Sequence, residues 1–321
     1  MVAKYRELFL RHLEENKYTK EPVNLYEPIN YILDLGGKRM RPVLTLMVCD
    51  LFGGEVAKAL DAAMAVEVFH NFTLIHDDIM DSAPLRRGKD TVHKKWNVNT
   101  GILSGDAMMI LAFEALKTYE GDEFRSLMSL LTKTSLEVCE GQQYDIDFET
   151  RNDVTIEEYL RMIALKTSVL VAAAMEMGAI IAKASKEDRN LMYQFGLNLG
   201  LAFQLQDDYL DSYGDPVTFG KQVGGDIIEN KKTFLVLKSQ ELGSKEDASS
   251  LELLLSENYT GSDKVEKVKA LFDRTGTPSA ILREIEMYTE KALQLLELLN
   301  LPSQKKELLK QFSRDLMQRS V

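Results

Sequence analysis

The chain has 321 residues, 45% hydrophobic and 28% charged, so it can bury a substantial core and is too apolar to be a disordered polymer. A formal net charge of -11 argues against a general nucleic-acid binder. Its two cysteines, Cys49 and Cys139, are too few and too isolated for a disulfide framework or a thiolate zinc site, and read as free thiols in a reducing compartment.

The amino-terminal segment from Met1 to Glu7 is charged and lacks the apolar core of a signal peptide. The run Gly36-Gly37-Lys38-Arg39-Met40-Arg41-Pro42 reads as a break between helices. Bare backbone there can approach an anion, and the flanking Arg forks and compact Lys charge suit phosphate oxygens. Taken alone, the same run is equally a helix cap followed by surface bases. From Ala57 to Asp81 two helical stripes are visible. Val68, Phe72, Ile75 and Ile79 are apolar at i, i+4, i+7 and i+11, whereas His70, Thr73, Asp77 and Asp81 are polar at i, i+3, i+7 and i+11. This helix ends on Asp77-Asp78-Ile79-Met80-Asp81, and Arg86-Arg87-Gly88 follows closely.

No proline stands between Pro84 and Pro216, and the stretch is rich in strong helix formers. Hairpin signals of the Asn-Gly or Asp-Gly kind are missing. Lys166-Thr167 falls mid-helix among apolar residues, where a lone lysine is costly unless it snorkels or meets an anion. The longest apolar stretch, Val169 to Ala182, is interrupted by Glu176 and is too brief to span a bilayer. A soluble cytoplasmic protein with no transmembrane segment is therefore expected. Further on, Leu197, Leu201 and Leu205 lead into Gln204, Asp207, Asp208 and Asp211, and Asp207-Asp208-Tyr209-Leu210-Asp211 repeats the first acidic cluster. Gly214-Asp215-Pro216 should stop that helix, and Lys221 and Lys231 follow in a glycine-rich stretch. Beyond residue 240, Gly243-Ser244 and Ser256 to Asp263 read as connections and Tyr288 to Leu299 as an amphipathic helix. Arg314 and Arg319 read as arginines near a helix end. The whole chain, 1–321, reads as one mostly α-helical domain, a large bundle.

Carboxylates at i and i+4 share one side of a helix and repel. A hard divalent cation is the natural counterweight, because magnesium takes oxygen ligands and is often shared between carboxylates and substrate phosphates. One such cluster is usually a solvated acidic face. Two, each followed by short basic clusters, describe two anion pockets around a metal cluster, on helices whose carboxylate ends could face each other across a cavity.

This ordered set resembles the trans-isoprenyl diphosphate synthases of the polyprenyl synthetase family, and the match runs from about Gly36 to Thr233. Gly105-Asp106 and Gly141-Gln142-Gln143-Tyr144-Asp145 match as well, in roles read as mostly structural. The resemblance implies the isoprenoid synthase fold, all-α, a single large helical bundle around a deep central cavity. It also implies a homodimer that condenses isopentenyl diphosphate with allylic diphosphates. Carried over by position, Asp77 and Asp81 would ligate two Mg2+ ions with Asp78 in support. Asp207 would ligate a third, with Asp208 and Asp211 acting through water. Arg86, Lys166, Lys221 and Lys231 would assist at the allylic diphosphate. Gly37, Lys38, Arg41, His70 and Arg87 would hold isopentenyl diphosphate, and Thr167 and Gln204 would face the developing carbocation. His93 keeps a structural reading.

In this family the residues before the first motif form the floor that limits product length. Phe72, with Thr73 beside it, lies roughly one and a half turns below Asp77. On periodicity alone Phe72 is equally plain core. One aromatic there, with a first motif that has only two residues between its second and third Asp, resembles the archaeal type of geranylgeranyl synthase. A twenty-carbon product is expected, with a farnesyl enzyme as the alternative. A terpene cyclase fits less well because the second motif is Asp-rich, and a non-catalytic partner subunit fits less well because both motifs are intact.

Overall fold

The computed structural model describes residues 2–215, 223–256, 259 and 261–317. It comprises two compact units, Met1–Thr134 with Ala173–Asn190, and Ser135–Ala172 with Leu191–Val321. Nearly all the ordered backbone is helical, as expected.

The first unit contains α1 (Val2–Glu15), α2 (Val23–Asp34), α3 (Met40–Leu51), α4 (Leu60–Met80), α5 (Val92–Lys95) and α6 (Val98–Ala115). Helix α4 is its axis and packs chiefly on α6 and α3. Every residue from Ala62 to Phe69 is buried, and all but Glu67 are apolar, as in a helix surrounded by core. Phe69, Ile75, Leu46, Met47 and Met108 are essentially inaccessible. Helix α6 comes close to α4 because glycines face it: a Cβ at Gly101 or Gly105 would lie less than 3 Å from Ile79 or His76.

A short departure from helix occurs here. Between α4 and α5, β1 (Leu85–Arg86) pairs antiparallel with β2 (Lys89–Asp90). The two-residue turn is Arg87-Gly88, with φ of 52° and 76°. Such hairpins need positive φ at both central residues. Arginine supplies it at a cost that Asn or Asp would have lessened, so the usual signature is missing from the sequence.

Helix α7 (Gly121–Thr150) begins in the first unit and ends in the second, and α9 (Val169–Ile181) and α10 (Lys186–Tyr213) likewise belong to both. The second unit also contains α8 (Ile156–Ile163), α11 (Gly225–Ile228), α12 (Phe234–Leu242), α13 (Lys245–Leu254), α14 (Lys264–Thr275), α15 (Thr277–Leu298) and α16 (Ser303–Met317). Capping boxes start α8 at Thr155 with Glu158 and α13 at Ser244 with Asp247. The core of this unit centres on Leu205, Phe234, Val268, Phe272 and Ile281.

Between α8 and α9 the chain continues without a break through a π-helical turn, Ala164–Ser168. The helical run Ile156–Ile181 is therefore 26 residues long, and by length and composition it could cross a membrane. The apolar stretch from Val169 to Ala182 is thus continuous with a longer helical run than its composition alone indicates. Most of the apolar window in this run, 67%, is buried within the protein.

Candidate active site

In the first unit the break between α2 and α3 forms a corner rich in basic side chains. Gly36 and Gly37 have φ of 85° and 120°, and Arg39 stands before α3 at φ 54°. The Arg87 guanidinium donates to the Gly36 carbonyl and lies against Gly37, where a Cβ would sit 2.9 Å from its Cζ. Only glycine admits that approach. Arg41 donates to His70 Nε2 at 3.1 Å. A guanidinium cannot accept, so Nε2 is the acceptor and the imidazole carries its proton on Nδ1. Burial first, then the charges of Arg41, Arg87, Arg86 and Arg39, hold the His70 pKa well below its ordinary value. His70 is thus a neutral acceptor among cations. The contacts thus join Arg41 to His70 and Arg87 to Gly36 and Gly37, and Lys38 is their neighbour in the chain.

Arg39 itself is buried in an ion pair with Glu67 and also donates to the Leu33 carbonyl. Glu67 accepts from Asn71 Nδ2 at 3.1 Å. Arg39 is one cation of the Gly36 to Pro42 run but has no structural role in the sequence reading, and Glu67 carries no sequence signal.

The first acidic cluster occupies the last turn of α4. Asp78 is 1% exposed and takes a forked contact from Arg86, with Nε at 2.8 Å from Oδ2 and Nη2 at 2.6 Å from Oδ1. Arg86 is therefore committed to Asp78 in this state. Asp77 is half-buried, and Asp81 is exposed and caps the helix. Below them Phe72 is buried, and Thr73 donates to the His70 carbonyl at 2.7 Å. His93 is buried with no protein hydrogen-bond partner for either ring nitrogen.

In the second unit the Asp207, Asp208 and Asp211 cluster closes α10. Asp208 is 5% exposed and accepts from the Tyr159 phenol. Burial, then the charges of Asp226 and Asp207, push its pKa well above the usual carboxylate range. Asp211 Oδ2 accepts the Asp226 N–H at 3.1 Å, and its carbonyl accepts the Gly224 N–H at 2.6 Å. The turn after the motif is thereby tied back to it. Lys231 pairs with Glu229 at 2.8 Å and lies 3.9 Å from Asp226. Its neighbour Lys232 donates to the Phe148 and Glu149 carbonyls at 2.8 and 3.2 Å, at the end of α7. Lys221 lies outside the described residues.

Lys166 and Thr167 sit within the π turn, and Lys166 is bound to Asp145 at 2.5 Å. Two glycines make room for that turn. A Cβ at Gly141 would meet the Lys166 backbone nitrogen, and one at Gly200 would meet Ser168, both at less than 3 Å. π turns occur frequently at functional sites. Thr167 and Gln204 are half-buried. Burial first, then the charge of and bond to Asp208 and the charges of Asp226 and Asp145, push the Tyr159 pKa well above its ordinary value. Sequence reading missed Tyr159 and Asp226 and treated Asp145 as structural. Only Asp145 carried a signal, its place in the Gly141 to Asp145 motif.

Among the described residues no three metal-ligating side chains converge. Burial chiefly, then the charges of Asp226 and Asp207, disfavour ionised Asp208, and a nearby cation would favour it.

Residues 22–273 match the model of the family described as Polyprenyl synthetase. The geranylgeranyl diphosphate synthase of Methanosarcina mazei is 45% identical over 228 residues, 70% of each chain. The geranylfarnesyl diphosphate synthase of Natronomonas pharaonis is 39% identical over 260 residues, 75% of this chain and 76% of its own. A crystal structure of a geranylgeranyl pyrophosphate synthase is 54% identical and superposes with a TM-score of 0.96, covering 100% of this chain and 99% of that one. On these matches, and with both acidic clusters in place, the chain belongs to the polyprenyl synthetase family and is a prenyltransferase.

Proposed function

We propose that this protein elongates allylic diphosphates with isopentenyl diphosphate, releases diphosphate, and stops at the twenty-carbon geranylgeranyl product. The repeated Asp cluster, once at the end of α4 and once at the end of α10, carries this reading. The identity to geranylgeranyl synthases supports the product length. Residues 1–321 act as one catalytic domain in the cytoplasm.

Asp77, Asp81 and Asp207 are the proposed ligands of three magnesium ions, with Asp78, Asp208 and Asp211 supporting them. Bound there, the ions would supply Lewis-acid stabilisation of the departing diphosphate. Arg86, Lys166, Lys221 and Lys231 bind the allylic diphosphate. Gly37, Lys38, Arg41, His70 and Arg87 bind isopentenyl diphosphate. The allylic carbon–oxygen bond breaks, the double bond of isopentenyl diphosphate forms the new carbon–carbon bond, and the proton lost from the adduct passes to the released diphosphate. Thr167 and Gln204 present oxygens to the transient carbocation, and Phe72 with Thr73 closes the floor. A homodimer is supported by the apolar face of α6, where Val98, Ile102, Leu103 and Ile110 are 40–62% exposed.

The test is chain-length analysis of products from magnesium, labelled isopentenyl diphosphate and primers of five to fifteen carbons. A stop at twenty carbons is expected, and a stop at fifteen or twenty-five would replace the product assignment. Asp77→Ala and Asp207→Ala should each cut turnover by at least about 10²–10³-fold. Near-normal turnover in either would overturn the metal assignment.

A further inference from the structure

The Gly105-Asp106 pair faces His76, the residue immediately before Asp77. A Cβ at Gly105 would lie less than 3 Å from both Nε2 and Cδ2 of that imidazole. The ring fills the notch left by the glycine. Its Nε2 donates to the Ile102 carbonyl at 3.2 Å, and Asp106 Oδ1 stands 3.7 Å away. A carbonyl only accepts, so the proton is on Nε2. The imidazole also meets Phe72 edge to face, with centroids 4.9 Å apart and planes at 70°. Phe72 in turn tilts against Phe69 at 5.4 Å, and Phe69 is fully buried.

Residues 69, 72 and 76 thus form a ladder of three rings along α4, pinned at one end by the core and at the other by α6. A helical Phe has two accessible χ1 wells, and Phe69 and His76 flank the ring in the position it occupies. Edge-to-face pairs also have a narrow preferred geometry.

We propose that His76, seated in the Gly105 notch, is a specificity-determining residue that sets product length by holding the Phe72 ring in place. This rests on the reading of the protein as a chain-elongating synthase with Phe72 as its floor. Removing the imidazole frees Phe72 to turn out of the path of the growing chain. Adding a methyl group at position 105 drives the imidazole off α6 towards Phe72, since contacting carbons settle near ~3.5 Å.

The experiment compares wild type, His76→Ala, Gly105→Ala and Phe72→Ala by product chain length, with primers of five, ten and fifteen carbons. His76→Ala should raise the share of products one unit longer than wild type by about 10-fold, the order seen when a steric contact that rejects extra carbon is relaxed. Gly105→Ala should shift products one unit shorter. The first condensation on the five-carbon primer should stay close to wild type in His76→Ala, whereas general loosening of the fold would slow every primer alike. If Phe72→Ala lengthens the product and His76→Ala does not, the proposal fails while the floor stands. If Phe72→Ala leaves the product unchanged, the floor reading falls and the proposal with it. If wild type elongates no primer, the synthase reading itself is wrong. Should Gly105→Ala not fold, His76→Ala alone decides.

Discussion

Replacing Arg39 with Met should be among the most destabilising single changes in the first unit. Arg39 is 4% exposed and Glu67 3%. In Arg39→Met, Glu67 keeps, among the described residues, only the Asn71 amide as a side-chain donor, and the Leu33 carbonyl loses its guanidinium partner. Removing one member of a buried ion pair costs about 3–5 kcal/mol, because the remaining charge is left buried and uncompensated. Replacing both by apolar residues is often close to neutral, so Arg39→Met with Glu67→Leu should recover all but about 1–2 kcal/mol. The single tryptophan, Trp96, belongs to the same unit and reports its unfolding by fluorescence. With a urea slope of about 2 kcal/mol per M, the single variant should lose about 1.5–2.5 M in its midpoint. A loss below about 0.5 M, or a double variant no better than the single, would refute the reasoning. Because Arg39 stands between Lys38 and Arg41, the KM for isopentenyl diphosphate should also rise more than that for the allylic primer.

Other expectations follow from the same geometry. His70 has a depressed folded pKa, so its contribution is complete above the ordinary histidine value of 6.5 and is lost as pH falls through that value towards the folded pKa. Wild type should therefore lose up to about 1.4 kcal/mol more than His70→Gln between pH 8 and pH 5.5, and parallel melting curves would contradict this. Gly141→Ala places a methyl group against the Lys166 backbone. It should lower kcat by about 10²-fold through a shift of the π turn on the order of 1 Å, and steady-state kinetics near wild type would remove that turn from the active site. Tyr159→Phe strips a donor from buried Asp208. It should cost about 1.5–3 kcal/mol and raise the magnesium concentration giving half-maximal turnover; unchanged melting and magnesium response would rule out that role.

The helices and the acidic clusters were legible because their causes are local. Val68, Phe72, Ile75 and Ile79 repeat at helical spacing, and Gly214 ends α10 beside the second cluster, as its breaking residues suggest. The π turn was not legible. Ala164 to Ser168 differ little in composition from their neighbours, and the turn is accommodated by Gly141 and Gly200, which lie on other helices. The puzzle of a lysine in an apolar helix is resolved the same way, since Asp145 lies 21 positions earlier in the chain. Tyr159 and Asp208 are 49 positions apart and meet only in the fold. The Arg87-Gly88 turn was hidden because an arginine takes positive φ there, with its guanidinium engaged by the Gly36 carbonyl.

The basic groups also divide in a way that residue types alone do not reveal. Arg86 is spent on Asp78, and Lys166 on Asp145. A phosphate that takes either must displace a carboxylate, and its net gain is the difference between two charged contacts. Arg41 and Arg87, by contrast, contact an imidazole and a carbonyl, and neither is ion-paired to a carboxylate among the described residues. Burial chiefly, and the positive charges of Arg41 and Arg87 after it, hold the His70 pKa well below its ordinary value. An anion can settle there without breaking a protein ion pair. Binding of inorganic pyrophosphate to metal-free protein should therefore survive Arg86→Met and weaken by about 10-fold or more in Arg41→Met, the loss expected from one charge-assisted contact of about 1.5–3 kcal/mol. Calorimetry that shows the reverse order would place the ready-made anion site at the acidic end of α4 instead.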